Sequence, residues 1–257
     1  MEWYLCSKRW SSVQRLRRFK DQHRGERCFI IGNGPSLNQM DLSCLRTEYT
    51  FGLNRIYLLF EKLGFSTTYF VSVNPLVLEQ CAEEISQLAL PKFIGWVGRK
   101  SVKYDANTCF LRSSDSGFSQ NSDSLPGFSK EPSRCVHEGA TVTYVALQLA
   151  YYMGFQQVIL IGVDHDFATK GEPNKTVVST GDDPNHFAKS YFGKGFRWQL
   201  PDLESSELAY SVAREVFRLD GRTILDATVG GKLQIFPKVP FESLFQGLKK
   251  DAMSYSQ

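Results

Sequence analysis

The chain has 257 residues, 42% of them hydrophobic and 22% charged, and its net charge is +3. That composition supports a packed core, and the charge is too small to serve as an electrostatic footprint for nucleic acid. No apolar run approaches the roughly 20 residues that span a bilayer, and six scattered cysteines without a Cys-x-x-Cys pair exclude a zinc ribbon or disulfide scaffold and suit a reducing, cytoplasmic setting.

Residues 1–24 read as an N-terminal basic helix. Trp10, Val13, Leu16 and Phe19 recur at helical spacing, with Arg15, Arg17, Arg18 and Lys20 between them. Such a helix can dock on the body with a solvated basic face, or lie on an anionic membrane surface as a peripheral contact. Residues 25–250 then read as a single nucleotide-binding domain. Phe29–Ile31 is a strand that stops at a Gly-x-Gly turn, and Pro35 suits the first position of a helix. Tyr49–Asn54 and Thr67–Val73 are the next strands, with a short helix over 56–63 between them and one over 76–88 behind Pro75. Lys92–Trp96 and Asn107–Arg112 are weaker strand candidates. Ser, Gly, Asp and Pro make 113–134 a surface lid loop.

Thr141–Tyr152 is apolar nearly all round and ends at Gly154, so it predicts a buried helix. Val158–Ile161 is an unbroken apolar run suited to a central parallel strand. The polar stretch 163–200 is a second lid candidate, followed by a helix over 203–219 and a strand over 223–225. Together these predict an α/β fold: a Rossmann-like, mainly parallel sheet with helices on both faces, plus an irregular lid region.

Such sheets bind ligands beyond the carboxyl ends of their strands. The residues there are Gly32, Asn33, Gly34 and Ser36, then Asn54, then Asn74, then Asp164, His165 and Asp166. Strand, glycine turn and helix start form a seat for phosphate, although Leu37 replaces the third glycine of the dinucleotide fingerprint and no Lys-Ser or Lys-Thr pair makes a P-loop. The same turn also serves as a plain connection that binds nothing. Three asparagines at successive strand ends favour a nucleotide, since an amide both donates and accepts. Asp164 and Asp166 form a candidate ligand pair for Mg²⁺ or Mn²⁺, with His186 or Asp183 able to complete it, or else simple loop carboxylates.

The segments Ile30–Leu37, Gly52–Tyr57 and Asn74–Gln80 resemble the N-terminal motifs of bacterial CMP-sialic-acid sialyltransferases. Glu138–Thr141 and Gly154–Asp164 are similar to their next block. The Gly-x-Gly-Pro-Ser-Leu opening also resembles the wider superfamily of motility accessory factors and 6-hydroxymethylpterin diphosphokinases. The resemblance implies that Gly32, Asn33, Gly34 and Ser36 line nucleotide phosphates and ribose, that Asn54 and Asn74 contact sugar or base, and that Gly139 passes close to the donor.

The sialyltransferases carry a Tyr-x-x-His segment with the catalytic histidine. Its counterpart here is Tyr191–Lys194, with lysine in the histidine's place. Lys194 is a poor base at its usual pKa but could neutralise a leaving phosphate. His186 is the nearby replacement base, its unperturbed pKa suited to taking a hydroxyl proton. Arg55, Lys189, Lys194 and Arg197 form a loose basic set, and Tyr191, Phe192, Phe196 and Trp198 can stack on a ligand or pack the lid. Three functions follow: transfer of an acidic, nonulosonic sugar from a CMP donor to a glycan acceptor; Mg-dependent diphosphoryl transfer from ATP to a pterin; or nucleotide binding without catalysis.

Overall fold

The computed structural model describes residues 2–114 and 125–245. The expected lid over 113–134 therefore lies partly, at 115–124, outside the described residues. Among the described residues the strands are β1 (Arg27–Ile31), β2 (Tyr49–Leu53), β3 (Tyr69–Ser72), β4 (Lys92–Gly95), β5 (Thr108–Leu111), β6 (Gln157–Ile161), β7 (Thr176–Val178), β8 (Arg197–Gln199) and β9 (Thr223–Asp226). The helices are α1 (Glu2–Leu5), α2 (Ser7–Phe19), α3 (Phe60–Leu63), α4 (Pro75–Gln80), α5 (Ala82–Gln87), α6 (Val142–Met153) and α7 (Leu203–Leu219).

Seven strands form one all-parallel sheet in the order β5-β4-β3-β2-β1-β6-β9, and β7 pairs with β8 in a small antiparallel hairpin. Both faces of the sheet are covered. Cys28 and Ile30 of β1 join one core while Phe29 and Ile31 join the other, and Val158/Leu160 and Ile159/Ile161 of β6 divide the same way. This is why both strands read as unbroken apolar runs rather than alternating ones. Fully burying an Ile or Phe contributes about 1.5–3 kcal/mol, so these central strands outweigh any preference of the short helices around them. On one face α6 packs against β1, β2 and β3 and against α7. Gly154 closes α6 in the left-handed conformation, φ 94°.

The other face is covered by short segments, and here the structure departs from expectation. The helix at Pro35 is a 3₁₀ segment of 5 residues, Pro35–Gln39. Its amides explain why it stops: Leu37 N–H bonds back to the Gly34 carbonyl, and Ser36 N–H is drawn to Asp164. The helix over 56–63 begins as 3₁₀ at Ile56–Leu59, and the one over 76–88 breaks into α4 and α5 at Cys81, φ −120°.

Helix α2 lies along the edge strand β5 and contributes to both cores, Leu16 on one side and Val13 on the other. Ser12 Oγ accepts the Phe110 N–H at 3.0 Å, and Arg15 donates to the Thr108 carbonyl at 2.9 Å. The helix thus satisfies backbone groups of an edge that would otherwise template pairing with another chain. No described helix is long and apolar enough to cross a membrane.

Candidate functional site

The strand order reverses between β1 and β6, the position at which open α/β sheets bind ligands. Two adjoining cavities of about 180 and 280 Å³ open there. Asn33, Asn54, Thr141, Val142 and His186 line both. Gly32, Gly34, Asp164 and Asp166 line the first, and Asn74 and Tyr191 the second. Ser36, Gly139 and Lys194 line neither.

The Gly32–Ser36 turn is stitched to the loop after β6. Gly32 N–H donates to the Ile161 carbonyl and Gly34 N–H to the Gly162 carbonyl, at 2.8 and 2.9 Å. Asp164 then takes the seat that a phosphate would need. Its Oδ1 accepts Ser36 N–H at 3.0 Å and its Oδ2 the Ser36 hydroxyl at 2.7 Å. The approach is so close that a Cβ on Gly34 would run into Asp164 Oδ2. Burial pushes the Asp164 carboxyl above its ordinary pKa despite the two Ser36 bonds, and the like charge of Asp226 adds to the rise. This glycine turn therefore cradles the protein's own acid.

The asparagines differ in what they leave open. Asn33 Oδ1 is a buried acceptor without a hydrogen-bond partner, at the wall common to both cavities. Asn54 sits at φ 50°, which its short polar side chain tolerates. Its Oδ1 accepts the Ser72 hydroxyl at 3.0 Å, leaving the NH₂ for a ligand. Asn74 caps α4, accepting Leu76 and Val77 N–H at 2.9 and 3.3 Å, so its carbonyl is engaged in the fold.

A second glycine turn leads into α6. Gly139 and Ala140 are both left-handed, φ 52° and 59°, and the strain of Ala140, about 1–2 kcal/mol, is the cost of aiming α6 at the cavities. Thr141 caps the helix by accepting Thr143 N–H at 3.3 Å. Val142, the first helical residue, has no acceptor for its N–H inside the helix. The positive end of a buried 12-residue helix thus faces the space between Asn33 and His186.

His186 stands at this rim. Its Nδ1 lies 2.7 Å from Asp183 Oδ2, and its ring stacks on Tyr191 with centroids 3.9 Å apart and planes 4° apart. The Asp183 acceptor fixes the proton on Nδ1, so the neutral ring carries its lone pair on Nε2. Burial opposes ionisation of Asp183, but the His186 bond, with N–H groups of Asn185 and Phe192 at 2.8 and 3.0 Å, holds its carboxyl below the ordinary value. The dyad rests on a packed cap. Phe187, Tyr191, Phe192, Trp198 and Leu200 are buried there, with Phe192 and Trp198 stacked at 5.7 Å. Arg55 fastens the cap from below, donating to the Tyr191 carbonyl, to the Ser190 carbonyl at 3.2 Å and to the Tyr57 hydroxyl at 3.2 Å.

The remaining sequence candidates are exposed or paired on the surface. Lys194 is exposed. Lys189 pairs at 3.7 Å with Asp182, and Arg197, at the wall of the second cavity, pairs at 3.0 Å with Glu79. Asp166 is exposed, with Lys170 at 4.0 Å. With Asp164 turned to Ser36, and no cluster of three His, Cys, Asp or Glu among the described residues, these side chains do not fit a resident divalent ion. Sequence reasoning missed the Asp183–His186 pairing as a base with its orienter, the open start of α6, and the start of α7 at Asp202, which lines the first cavity. Asp before an amphipathic run was the signal for that last one.

The MptE-like family, described as 6-hydroxymethylpterin diphosphokinase MptE-like, matches residues 6–170. The chain belongs to this family. Among solved structures it is similar to the MAf glycosyltransferase from Magnetospirillum magneticum AMB-1, with TM-score 0.52 and 13% identity, over 93% of this chain and 39% of that one. At that identity the likeness is one of fold, and the chain spans well under half of the glycosyltransferase's length. No curated protein matches. The MptE-like stretch holds β1–β6, α6, Asn33, Asn54 and Asp164, whereas Asp183 and His186 lie beyond its end at residue 170.

Proposed function

We propose that the protein is a transferase acting on a nucleotide-activated substrate, and that it moves an acidic, sialic-acid-like sugar from a CMP donor to a glycan hydroxyl. One observation carries the reading: a histidine oriented by a buried carboxylate, with its second nitrogen open, stands opposite a helix start and an unpartnered amide oxygen. The histidine and the helix start are the arrangement of a general base beside a site for an anionic leaving group, and the amide oxygen is an acceptor for a donor group of the nucleotide. The acceptor hydroxyl gives its proton to His186 Nε2, its oxygen attacks the anomeric carbon, and the bond from that carbon to the phosphate oxygen breaks. CMP leaves with the electron pair, and the α6 dipole and Val142 N–H stabilise its phosphate. Asn33 Oδ1 accepts a donor of the nucleotide, and Asn54 NH₂ donates to it. Lys194 takes no part.

A second reading is favoured by the family description: diphosphoryl transfer from ATP to a pterin alcohol, in which His186 again takes the hydroxyl proton. Mg²⁺ arriving with substrate phosphates needs only one or two carboxylates, for which Asp166 is the accessible one. Calorimetric titration with CMP and ATP, each with and without Mg²⁺, separates the two. Metal-independent binding of CMP supports sugar transfer. Binding of ATP alone, and only with Mg²⁺, replaces that reading with the second, and binding of either nucleotide without turnover of its activated donor leaves a non-catalytic module.

A further inference from the structure

A third cavity, of about 590 Å³, shares no residue with the other two. Its wall on α2 is the stripe Arg9, Val13 and Arg17, spaced to fall on one helix face, with Lys20 just past the helix end. Arg112 follows β5, Glu131 and Arg134 come from the segment before α6, and Tyr152 comes from near the end of α6. Four arginines and a lysine therefore face one carboxylate. That carboxylate is already paired, with Lys20 Nζ at 2.7 Å from Glu131 Oε2.

The four guanidinium groups have no acidic partner among the described residues. Arg9 and Arg112 both lie against the Tyr4 ring, 5.2 and 5.3 Å from its centroid, an arrangement that steers cations without neutralising them. Two polar atoms of the wall are buried and unpartnered: Arg9 Nε and the hydroxyl of Tyr152, a residue only 3% exposed. Glu131 and Ser133 stand beside that hydroxyl. A buried donor left without an acceptor is costly, and four unpaired like charges around one cavity repel one another. One class of ligand relieves both: an anion with several oxygen acceptors.

We infer that the cavity between α2, Arg112, Arg134 and Tyr152 binds a phosphate-bearing anion, with the arginine forks taking its oxygens and the Tyr152 hydroxyl and Arg9 Nε donating to it. Guanidinium is the side chain suited to paired donation to phosphate, and the volume accommodates a diphosphate or a phosphorylated headgroup. The site stands apart from the nucleotide cavities and does not depend on the reaction proposed for them.

The test is calorimetric titration of the full chain with inorganic pyrophosphate. Arg17→Gln with Arg134→Gln removes two exposed guanidinium groups that make no hydrogen bond or ion pair among the described residues, so the fold is retained. Removing one charge-assisted hydrogen bond should weaken binding about tenfold, so the double variant should lose on the order of 100-fold, and Tyr152→Phe about three- to tenfold. Asn33→Ala, in the other site, should bind pyrophosphate here as the unaltered chain does. Co-sedimentation with phosphatidylcholine vesicles, with and without phosphatidic acid, separates the two sources of the ligand. Binding to the acidic vesicles that pyrophosphate displaces assigns a lipid headgroup, and pyrophosphate binding without vesicle binding assigns a soluble phosphate ester. Pyrophosphate binding of equal strength in the double variant, or no binding by the unaltered chain, overturns the inference.

Discussion

Two glycine turns stand at the centre of this molecule, and they behave in opposite ways. The turn after β1 has the sequence of a phosphate seat, yet Gly32 and Gly34 donate to backbone carbonyls of the β6 end, and Ser36 donates twice to Asp164. The turn before α6 has no such signature, yet it points a long buried helix at the cavity that Asn33 and His186 also face. A helix start is thus a ligand seat only where its amides are unengaged and its helix is long enough to carry a dipole. A 3₁₀ segment of 5 residues meets neither condition.

The largest effect expected from this contrast is on chemistry at the open side. His186→Ala should lower turnover of the nucleotide-activated donor on the order of 10²–10⁴ while leaving nucleotide affinity in place. A steady-state assay beside a binding titration measures the split, and unchanged turnover removes His186 from the site. At the closed side the effect should be on stability. A Cβ on Gly32 would stand 2.7 Å from the Gly162 carbonyl carbon, and backbone cannot step aside. Gly32→Ala should therefore cost about 3 kcal/mol in urea unfolding. Gly34→Ala meets a side-chain carboxylate instead, which can swing away from Ser36, so its cost should be lower.

Much of the sheet is legible in the sequence, because burial on both faces of a parallel sheet writes itself as unbroken apolar runs, as in Val158–Ile161. The buried helix ending at Gly154 is legible for the same reason. Three features were not. Asp164 and Ser36 are 128 residues apart, so nothing local announces that one fills the other's seat. Cys81 looks like any apolar helix position, yet the helix breaks there. His186 was legible as a candidate, but its orientation by Asp183 emerges only once the cap folds around Tyr191 and Phe192. Lys194 fell where a family pattern placed a catalytic residue, and the chain carries it into solvent.

Smaller effects probe the same opposition between the two sides. The two carboxylates should answer pH with opposite signs. The depressed pKa of Asp183 gives stability that is present above its unfolded value, near 3.8, and is lost as pH falls through the folded value. The raised pKa of Asp164 works the other way, with stability falling as pH rises from near 3.8 through its folded value. Unfolding curves of Asp183→Asn and Asp164→Asn across this acidic range should therefore change slope in opposite directions. Thr141→Ala removes the α6 cap and should cost about 1 kcal/mol. Lys194→Ala, at an exposed position, should change stability by no more than about 0.5 kcal/mol and leave turnover as it was. A large loss of turnover there would return the lysine to the site.

The most direct test of where the ligand sits is an amide-resolved NMR titration with CMP, repeated with ATP and Mg²⁺. The largest shifts are expected at Asn33, Ala140, Val142 and the His186 ring, with Ser36 and Leu37 little changed because their amides are already engaged. Shifts concentrated at Ser36 and Leu37, with α6 and His186 silent, would contradict this placement and restore the first turn as the phosphate seat.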